Sequence, residues 1–219
     1  SDKIKSGSVD LILTDLPYGT IKNIPLKGYE NKTTDWDVVI DTNKIMQIAN
    51  RILRKNGKMV LFAQQPFTTE LINKALSNVP FCYSMIWEKD HFANALTAKK
   101  APLNYYEDVL VFSKNYDFEG LHPLRNYFKS LLNFIGFSKK HIIEKIGGRA
   151  DHCFRVNSSQ FELCKKHTYL DLIKEFSINN MDGFLNYAKL ERLNNKYTST
   201  FNLWEGNKFK SNILKYKKD

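Results

Sequence analysis

The feature that most constrains the fold is a repeat of short apolar runs separated by an amphipathic segment. Residues 9–14 and 58–63 are apolar enough to predict strands buried on both faces. Residues 43–54 place apolar side chains at helical spacing, and Asn56-Gly57 is expected to end that helix. A strand, a helix and a strand in this order predict a parallel pair joined by a right-handed crossover.

The same alternation continues to about residue 113. A second helix is expected over residues 67–77, followed by strands over residues 82–88 and 108–113. Residues 211–217 are expected to form a strand that returns to the sheet. The sequence therefore predicts an α/β fold, for which a doubly wound sheet is the expected architecture.

Beyond Lys114 the pattern becomes helical. Residues 124–135 predict an amphipathic helix that Gly136 ends, and residues 139–146 predict a second helix with a serine N-cap. Residues 149–156 then carry two arginines and a histidine. This order is typical of a helix-turn-helix unit, although a structural module of three helices with no DNA role would have the same pattern.

These changes in pattern predict three parts. Residues 1–120 are expected to form a core domain, and residues 198–219 a return segment to its sheet. Residues 121–197, which are helical again over 167–193, are expected to form an insertion between them.

Positive charge is concentrated in the second half of the chain. The net charge is +10, and residues 1–120 hold 15 Lys and Arg against 14 Asp and Glu, which leaves 18 against 9 for residues 121–219. Lysines and arginines near phosphates release condensed counterions, so a basic segment predicts a surface that binds a polyanion. A sequence rich in Lys and Asn can equally reflect AT-rich coding DNA, and charge alone leaves both interpretations open.

Composition limits the class of protein. A hydrophobic fraction of 42%, with 15 Phe and 11 Tyr, is enough to form a folded core. No apolar run approaches the roughly 20 residues that a membrane helix needs, and no signal-peptide pattern is present, which predicts a soluble, cytoplasmic protein. Cys82, Cys153 and Cys164 have neither paired nor metal-ligand spacing, so they are expected to be reduced thiols without a metal.

The tetrapeptide Asp15-Leu16-Pro17-Tyr18 follows directly on the first strand. It is expected at the carboxyl end of that strand, where open α/β sheets bind ligands. A carboxylate and a backbone carbonyl there could accept both hydrogens of an exocyclic base amine and localise its lone pair. Tyr18 could stack on a base extruded from a duplex. Four such residues taken alone are more often only a turn.

The surrounding sequence adds specificity to this motif. VDLILTDLPYGT (9–20), LFAQQPFT (61–68), IWEKDHFANALTAKKAPLNYYEDVLVF (86–112) and HPLRNYF (122–128) together resemble the phage- and prophage-associated adenine methyltransferases of the β-class. In that family a DPPY or DLPY catalytic motif precedes the cofactor motif. The resemblance covers nearly the whole chain. It implies a Rossmann-like methyltransferase core that uses S-adenosylmethionine, with a helical insertion that recognises double-stranded DNA.

The resemblance also implies roles for individual residues. It makes Asp15, Leu16, Pro17 and Tyr18 the catalytic motif. Asp15, Gln64 and Pro66 are expected beside the cofactor. Trp87, Glu88, Lys89, Asp90, Asn94, Lys99 and Lys100 are expected to line the target-base and DNA side of the cleft. The expected DNA contacts of the insertion are Lys139, Lys140, Arg149, His152 and Arg155, each more as a phosphate contact than as a base contact.

Taken without the resemblance, several of these residues have simpler interpretations. Trp87 ends an apolar strand and could be a core residue. Lys99 and Lys100 could lie in a solvated loop. Glu107 and Asp108 open a strand, and the interpretation we prefer for them is a polar pair at a strand start.

The chain departs from the family pattern in one important way. Family members carry a glycine-rich cofactor loop of the Asp-Pro-Phe-x-Gly-x-Gly type, whereas here Gly147-Gly148 lies between helices and Gly206 stands alone. The chain could be a piece of a longer enzyme, one of two polypeptides, or a degenerate protein that only binds DNA. We favour the first explanation, and we therefore expect this chain alone to bind S-adenosylmethionine weakly or not at all.

The leading functional hypothesis is methyl transfer to adenine N6 by direct displacement, without a covalent enzyme intermediate. Cytosine-N4 methylation uses the same geometry, but a serine in place of Asp15 would have favoured it. A DNA-binding module without catalysis is the alternative from another class. A bacterial or phage-infected cell is the expected setting, and a homodimer or a partner restriction nuclease is left open.

Overall fold

A computed structural model describes residues 3–19, 37–38, 40–93, 98–116, 122–199 and 210–216. The chain divides into two compact units. The first comprises residues 1–53, 57–114 and 201–219, and the second comprises residues 54–56 and 115–200.

The first unit contains a mixed sheet of five strands in the order β1-β2-β4-β3-β5. The strands are β1 (Val9–Asp15), β2 (Leu53–Ala63), β3 (Phe81–Ala93), β4 (Asn104–Ser113) and β5 (Ile213–Lys215). β1 and β2 are parallel, as are β3 and β5, whereas β4 is antiparallel to both of its neighbours. The α/β class and the return of the last strand to the sheet are confirmed. The prediction of repeated parallel crossovers is wrong beyond β2, because β3 and β4 pair as an antiparallel ribbon.

Two helices of the first unit connect its early strands in the sequence, one after β1 and one after β2. These are α1 (Thr42–Ile52) and α2 (Phe67–Asn73), and the side chain of Asp41 caps α1 by accepting hydrogen bonds from two backbone N–H groups. Buried side chains of both helices share one core with alternate residues of the central strands. That core includes Met46, Ala49, Phe67, Leu71, Met59, Leu61, Ala63, Leu110 and Phe112.

The predicted end of α1 is wrong. The helix ends at Ile52, and the fully buried Leu53 already has extended backbone angles, so β2 begins there and runs through Asn56-Gly57. Asn56 takes a left-handed φ of 64° within this strand. Asparagine tolerates that conformation better than most residues, so the signal that suggested a helix end marks an irregularity in a strand.

The prediction that residues 9–14 are buried on both faces is also wrong. Leu11 and Leu13 are 39% and 59% exposed, whereas Ile12 packs against the core formed with α1 and α2. In the described part of the chain, β1 pairs with β2 alone and is an edge strand. The apolar run therefore has one covered face and one open face.

The second unit is helical. Its helices are α3 (Leu124–Ile135), α4 (Lys139–Ile146), α5 (Lys166–Phe176) and α6 (Tyr187–Tyr197). The bounds of α3 and α4 are as predicted. Gly136, at a φ of 71°, ends α3, and the hydroxyl of Ser138 accepts a hydrogen bond from the third residue of α4. The single helical stretch expected over 167–193 is divided into α5 and α6.

The basic segment after α4 forms two single-turn 3₁₀ helices, Gly148–Ala150 and His152–Phe154. Ala150, Cys153 and Phe154 are buried in the core of the second unit with side chains of α3 to α6. This segment is thus fixed to the helical core, although it is no third α-helix.

All three cysteines are free thiols, and two of them, Cys153 and Cys164, lie in the core of the second unit. Burial raises the pKa of the Cys153 thiol. Within the described ranges no group of His, Cys, Asp or Glu side chains could hold a metal ion. The described helices are all too short or too polar to cross a membrane.

Candidate active site

The tetrapeptide at the end of β1 places alternate side chains on opposite faces. Asp15 is the last residue of β1 and is exposed, whereas Leu16 is 9% exposed and packs into the core with α1 and α2. Asp15 lies opposite Phe62 of β2 in the parallel register. The buried Leu16 thus anchors the turn, and the carboxylate of Asp15 stays accessible at the carboxyl end of the strand.

Tyr18 is bound to this carboxylate. Its hydroxyl donates a hydrogen bond of 2.7 Å to Asp15 Oδ1, and its ring packs 5.8 Å from the ring of Phe67 at the start of α2. Partial burial, the hydrogen bond to Asp15 and the nearby acidic groups all raise the pKa of Tyr18. The phenol therefore stays protonated and keeps donating, which fixes one oxygen of Asp15 and leaves the other for a ligand.

The turn after β2 lies at the same end of the sheet. β1 and β2 are parallel, so Gln64 and Pro66 follow β2 where Asp15 ends β1. Gln65 and Pro66 are joined by a cis peptide bond, and Gln65 Oε1 accepts a hydrogen bond of 2.8 Å from Thr69. The structure thus gathers the residues that were expected beside the cofactor along adjacent strand ends.

A buried carboxylate, Glu107, organises the neighbouring part of the site. It is 8% exposed and accepts hydrogen bonds from Lys89 Nζ and, at 3.4 Å, from Gln64 Nε2. Lys89 Nζ also lies 5.0 Å from the ring centroid of Trp87, which is opposite Glu107 in the register of β3 and β4. Glu107 of β4 therefore links β3 and the turn after β2 through one ionic and polar cluster.

The polar-pair interpretation of Glu107 and Asp108 overlooked this cluster. Successive strand residues point to opposite faces, and Glu107 shares a face with the buried Val109 and Val111. A carboxylate in phase with buried valines is the sequence signal that could have identified it. Asp108 points to the other face, where its Oδ2 accepts a hydrogen bond of 2.7 Å from Thr68 of α2.

Trp87 is half-buried and lies outside the buried core of the first unit. Its ring makes an edge-to-face contact of 5.8 Å with Phe62, the strand partner of Asp15. Asp15, Phe62, Trp87 and Glu107 consequently share one face of the sheet. That face combines an accessible carboxylate with a large aromatic ring, which are the two features needed to hold and orient a planar amine-bearing ligand.

The remaining predicted residues of the first unit lie farther along β3 and its turn. Glu88 forms an exposed ion pair of 2.9 Å with Lys215, and Asp90 contacts His91 at 2.6 Å. Lys99 and Lys100 are exposed in a turn. Asn94 lies outside the described residues.

The five basic residues predicted as DNA contacts in the second unit differ in their surroundings. Asp151 forms ion pairs with two of them: Lys139 Nζ lies 2.8 Å from its Oδ1, and Arg155 binds its Oδ2. Arg149 Nη2 lies 2.7 Å from Asp171 Oδ2. The hydrogen bonds from Arg155 and Lys139 lower the pKa of Asp151 to about 2. His152 Nδ1 lies 3.1 Å from the backbone oxygen of Gln160. Lys140 is exposed and forms no ion pair with the described residues.

The described glycines do not form a cofactor loop. Gly7 and Gly19 flank β1, but the N–H of Gly7 donates to Arg51 O at 2.9 Å and that of Gly19 donates to Asp37 Oδ1 at 2.8 Å. Gly147 and Gly148 follow a helix. Asp15 could face the cationic part of S-adenosylmethionine, but these residues fit only part of that molecule.

The family comparison matches almost the whole chain. The model of a family described as DNA methylase, covering N6 and N4 methyltransferases, matches residues 9–218. A search of curated proteins finds no match.

Solved structures give weaker similarities. M1.HpyAVI in complex with SAM has 16% sequence identity and a TM-score of 0.35, over 49% of this chain and 44% of that protein. TTHA0409 of Thermus thermophilus, assigned by name to the DNA modification methylases, has 15% identity and a TM-score of 0.37, over 66% of this chain and 59% of that protein. The chain thus spans less than two thirds of each protein, and scores this low carry no argument about fold or activity.

Membership rests on the extent of the family match, which begins at the first residue of β1 and includes the Asp15 turn, the Trp87 and Glu107 cluster and the second unit. This chain belongs to the N6/N4 DNA methylase family.

Proposed function

We propose that this chain supplies the methyl-acceptor side of an S-adenosylmethionine-dependent DNA methyltransferase that acts on N6 of an adenine flipped out of the duplex. The observation that carries the proposal is the accessible carboxylate of Asp15 at the end of β1, held on one oxygen by Tyr18. Carboxyl ends of strands are where open α/β sheets bind their ligands.

Asp15 acts on the amine as a hydrogen-bond acceptor. The lone pair of an exocyclic amine is delocalised into the ring, so the amine is a poor nucleophile. Asp15 accepts one amino hydrogen and the backbone carbonyl of Leu16 or Pro17 accepts the other, which localises the lone pair and orients it. S-adenosylmethionine, when bound, would supply a sulfonium methyl group, whose bond to sulfur breaks as the bond to the amine nitrogen forms, so that the neutral thioether S-adenosylhomocysteine is the leaving group. A proton leaves the methylated nitrogen towards Asp15 or solvent, which restores a neutral amine.

Tyr18 and Trp87 contact the planar part of the target base in this proposal. The Tyr18 hydroxyl keeps Asp15 in place while its ring packs against Phe67, and the edge-to-face contact with Phe62 fixes Trp87. Stacking on these rings compensates part of the stacking that the base loses when it leaves the duplex. Glu107 is a positioning residue, because it acts through Lys89 and Gln64.

Among the residues that the structure describes, the cofactor side is only partly represented. Asp15, Gln64 and Pro66 are proposed to border the cofactor. The contacts to its methionine part are proposed to come from outside the described residues, since the described glycine N–H groups beside β1 are already bonded. Isothermal titration of this chain with S-adenosylmethionine should show weak binding or none. A dissociation constant in the micromolar range or below contradicts this part of the proposal.

Double-stranded DNA is the proposed substrate. Lys99 and Lys100 are proposed to lie along the DNA in the first unit, and Lys140 and His152 to contact phosphate from the second. Lys89, which is paired with Glu107, is proposed to border the target base beside Trp87. Lys139, Arg149 and Arg155 are proposed to belong to the DNA-contacting surface of the second unit, with the donors that their ion pairs leave available. Their main effect is then on the shape of that surface, because Asp151 and Asp171 offset their charge.

The decisive experiment identifies the modified base. DNA from cells that express the full-length protein is digested and analysed by mass spectrometry, with Asp15→Ala and the surface variant Asp182→Ala in parallel. N6-methyladenine in a fixed sequence context, lost only in Asp15→Ala, supports the proposal. N4-methylcytosine would establish the alternative base, and DNA binding without any methylated base would indicate a module without catalysis.

A further inference from the structure

β3 and β4 extend beyond the rest of the sheet as a two-stranded ribbon. β2 pairs with β4 only as far as Asp108, and β5 pairs with β3 only as far as Glu88. Beyond these points the two strands pair with each other, with Ala93 opposite Asn104. β3 runs in the same direction as β1, so the ribbon leaves the sheet at the end where Asp15 lies.

The ribbon carries aromatic side chains that its own fold leaves half exposed. Phe92, Tyr105 and Tyr106 are 47%, 47% and 46% exposed. The rings of Phe92 and Tyr105 pair edge to face with their centroids 6.2 Å apart. Neither ring packs against the buried core of the first unit. Adjacent exposed aromatic rings on a projecting element mark an interaction surface.

Cations lie at the tip of the same ribbon. Lys99 and Lys100 are exposed in the turn between β3 and β4, and neither forms an ion pair with a residue that the structure describes. Aromatic faces next to unpaired positive charge suit a ligand that has both planar rings and phosphates. A two-stranded β-ribbon also has the width that the major groove of B-DNA admits.

We infer that Phe92 and Tyr105 stack on the bases that stay in the duplex next to the extruded one, while Lys99 and Lys100 bind the adjoining phosphates. This inference rests on the proposed function. Extrusion of one base leaves its neighbours with exposed faces, and aromatic side chains can cover them. A second copy of the chain is a poorer occupant, because a symmetric contact through this tip would bring lysines of like charge together.

The test uses the full-length protein and a duplex with 2-aminopurine at the target position, whose fluorescence rises when the base leaves the stack. The variants are Phe92→Ala/Tyr105→Ala, the apolar but non-aromatic Phe92→Leu/Tyr105→Leu, and the aromatic Phe92→Tyr/Tyr105→Phe. Tyr83→Ala is the matched control, since Tyr83 is 36% exposed on β3 but lies far from the ribbon tip. Thermal unfolding of each variant verifies that it folds.

Both the Ala and the Leu pairs should lose most of the fluorescence increase and about tenfold in duplex affinity. The aromatic pair and Tyr83→Ala should behave like the wild type. Replacing Lys99 and Lys100 by Gln should reduce the slope of log affinity against log salt by about 1.8, while the fluorescence at saturating protein is retained.

Three results separate the inference from the proposed function. A wild type that methylates DNA, with Ala and Leu pairs that behave like it, overturns the inference alone. Variants that change self-association but not DNA binding overturn it as well and assign the ribbon to a second copy. A wild type that neither methylates DNA nor raises the fluorescence contradicts the proposed function itself.

Discussion

Asp15 of the first unit and three of the basic residues predicted as DNA contacts in the second unit have contrasting surroundings. In the first, Asp15 ends a strand with an accessible carboxylate. Tyr18 donates a hydrogen bond to one of its oxygens, which leaves the second oxygen for a ligand. In the second, Lys139, Arg149 and Arg155 are engaged by aspartates of the same unit. A carboxylate at the end of a strand can stay accessible to a ligand. An excess of basic residues in a segment, by contrast, does not show which of their charges are already bound in ion pairs.

The largest expected effect comes from the carboxylate of the first unit. Asp15→Ala in the full-length protein removes one acceptor of the amine, and we expect kcat/KM for methyl transfer to fall by about 100- to 1,000-fold. DNA affinity should change by less than about twofold, because Asp15 contacts the reacting group and no phosphate. Single-turnover kinetics and a binding assay measure the two quantities, with Asp182→Ala as the control. A parallel loss of DNA affinity would assign Asp15 to binding.

The next effect concerns the buried ion pair of the first unit. Glu107→Gln removes the charge that holds Lys89 over Trp87, and we expect kcat/KM to fall by about tenfold. Lys89→Met and the double variant complete a mutant cycle, in which the two effects should be clearly non-additive. Asp108→Asn, one residue along the same strand and on its other face, should lower thermal stability without this coupling. Additive effects of the first two changes would contradict the positioning role.

The third effect is a loss of stability when Asp151 of the second unit is replaced. Asp151→Asn leaves Lys139 and Arg155 without their shared partner, so we expect the free energy of unfolding at pH 7 to fall by roughly 1–3 kcal/mol. The pKa of Asp151 is lowered from 3.8 to about 2, so its contribution is present above about pH 4 and is lost as the pH falls towards 2. Denaturant unfolding at pH 7 and pH 2 should show a difference between variant and wild type that is mostly lost at the lower pH. A difference independent of pH would show that the carboxylate charge is not its cause.

The smallest effect separates two adjacent lysines. Lys140→Ala should reduce the salt slope of DNA binding by about 0.9, as expected for the loss of one phosphate contact. Lys139→Ala should affect stability more than the salt slope, because Asp151 offsets its charge. Binding measured over a series of salt concentrations makes the comparison. An equal loss of slope in both variants would show that the ion pair opens when DNA binds.

Local signals predicted part of this structure well. The bounds of α3 and α4 follow from a glycine that tolerates a left-handed φ and a serine that caps the next helix. The position of Asp15 follows from an apolar run that ends at a carboxylate. Each of these features depends on residues close together in the sequence, so a single chain is enough to recognise them.

Features set by distant pairing could not be predicted in this way. Glu107 becomes a central residue only because β4 lies between β2 and β3, which brings it to Gln64 and Lys89. The ion pair of Arg149 with Asp171 likewise depends on the packing of helices. The exposed face of β1 was not predicted from its apolar composition, because composition does not tell which faces a neighbouring layer covers.

The central claim is that Asp15 holds the amine of an everted base, and a structure of the full-length protein on its DNA target tests it most directly. We expect an adenine outside the duplex, with its N6 about 3 Å from the carboxylate of Asp15. A target base that remains stacked in a stable complex, or an everted base whose amine points away from Asp15, would contradict the account.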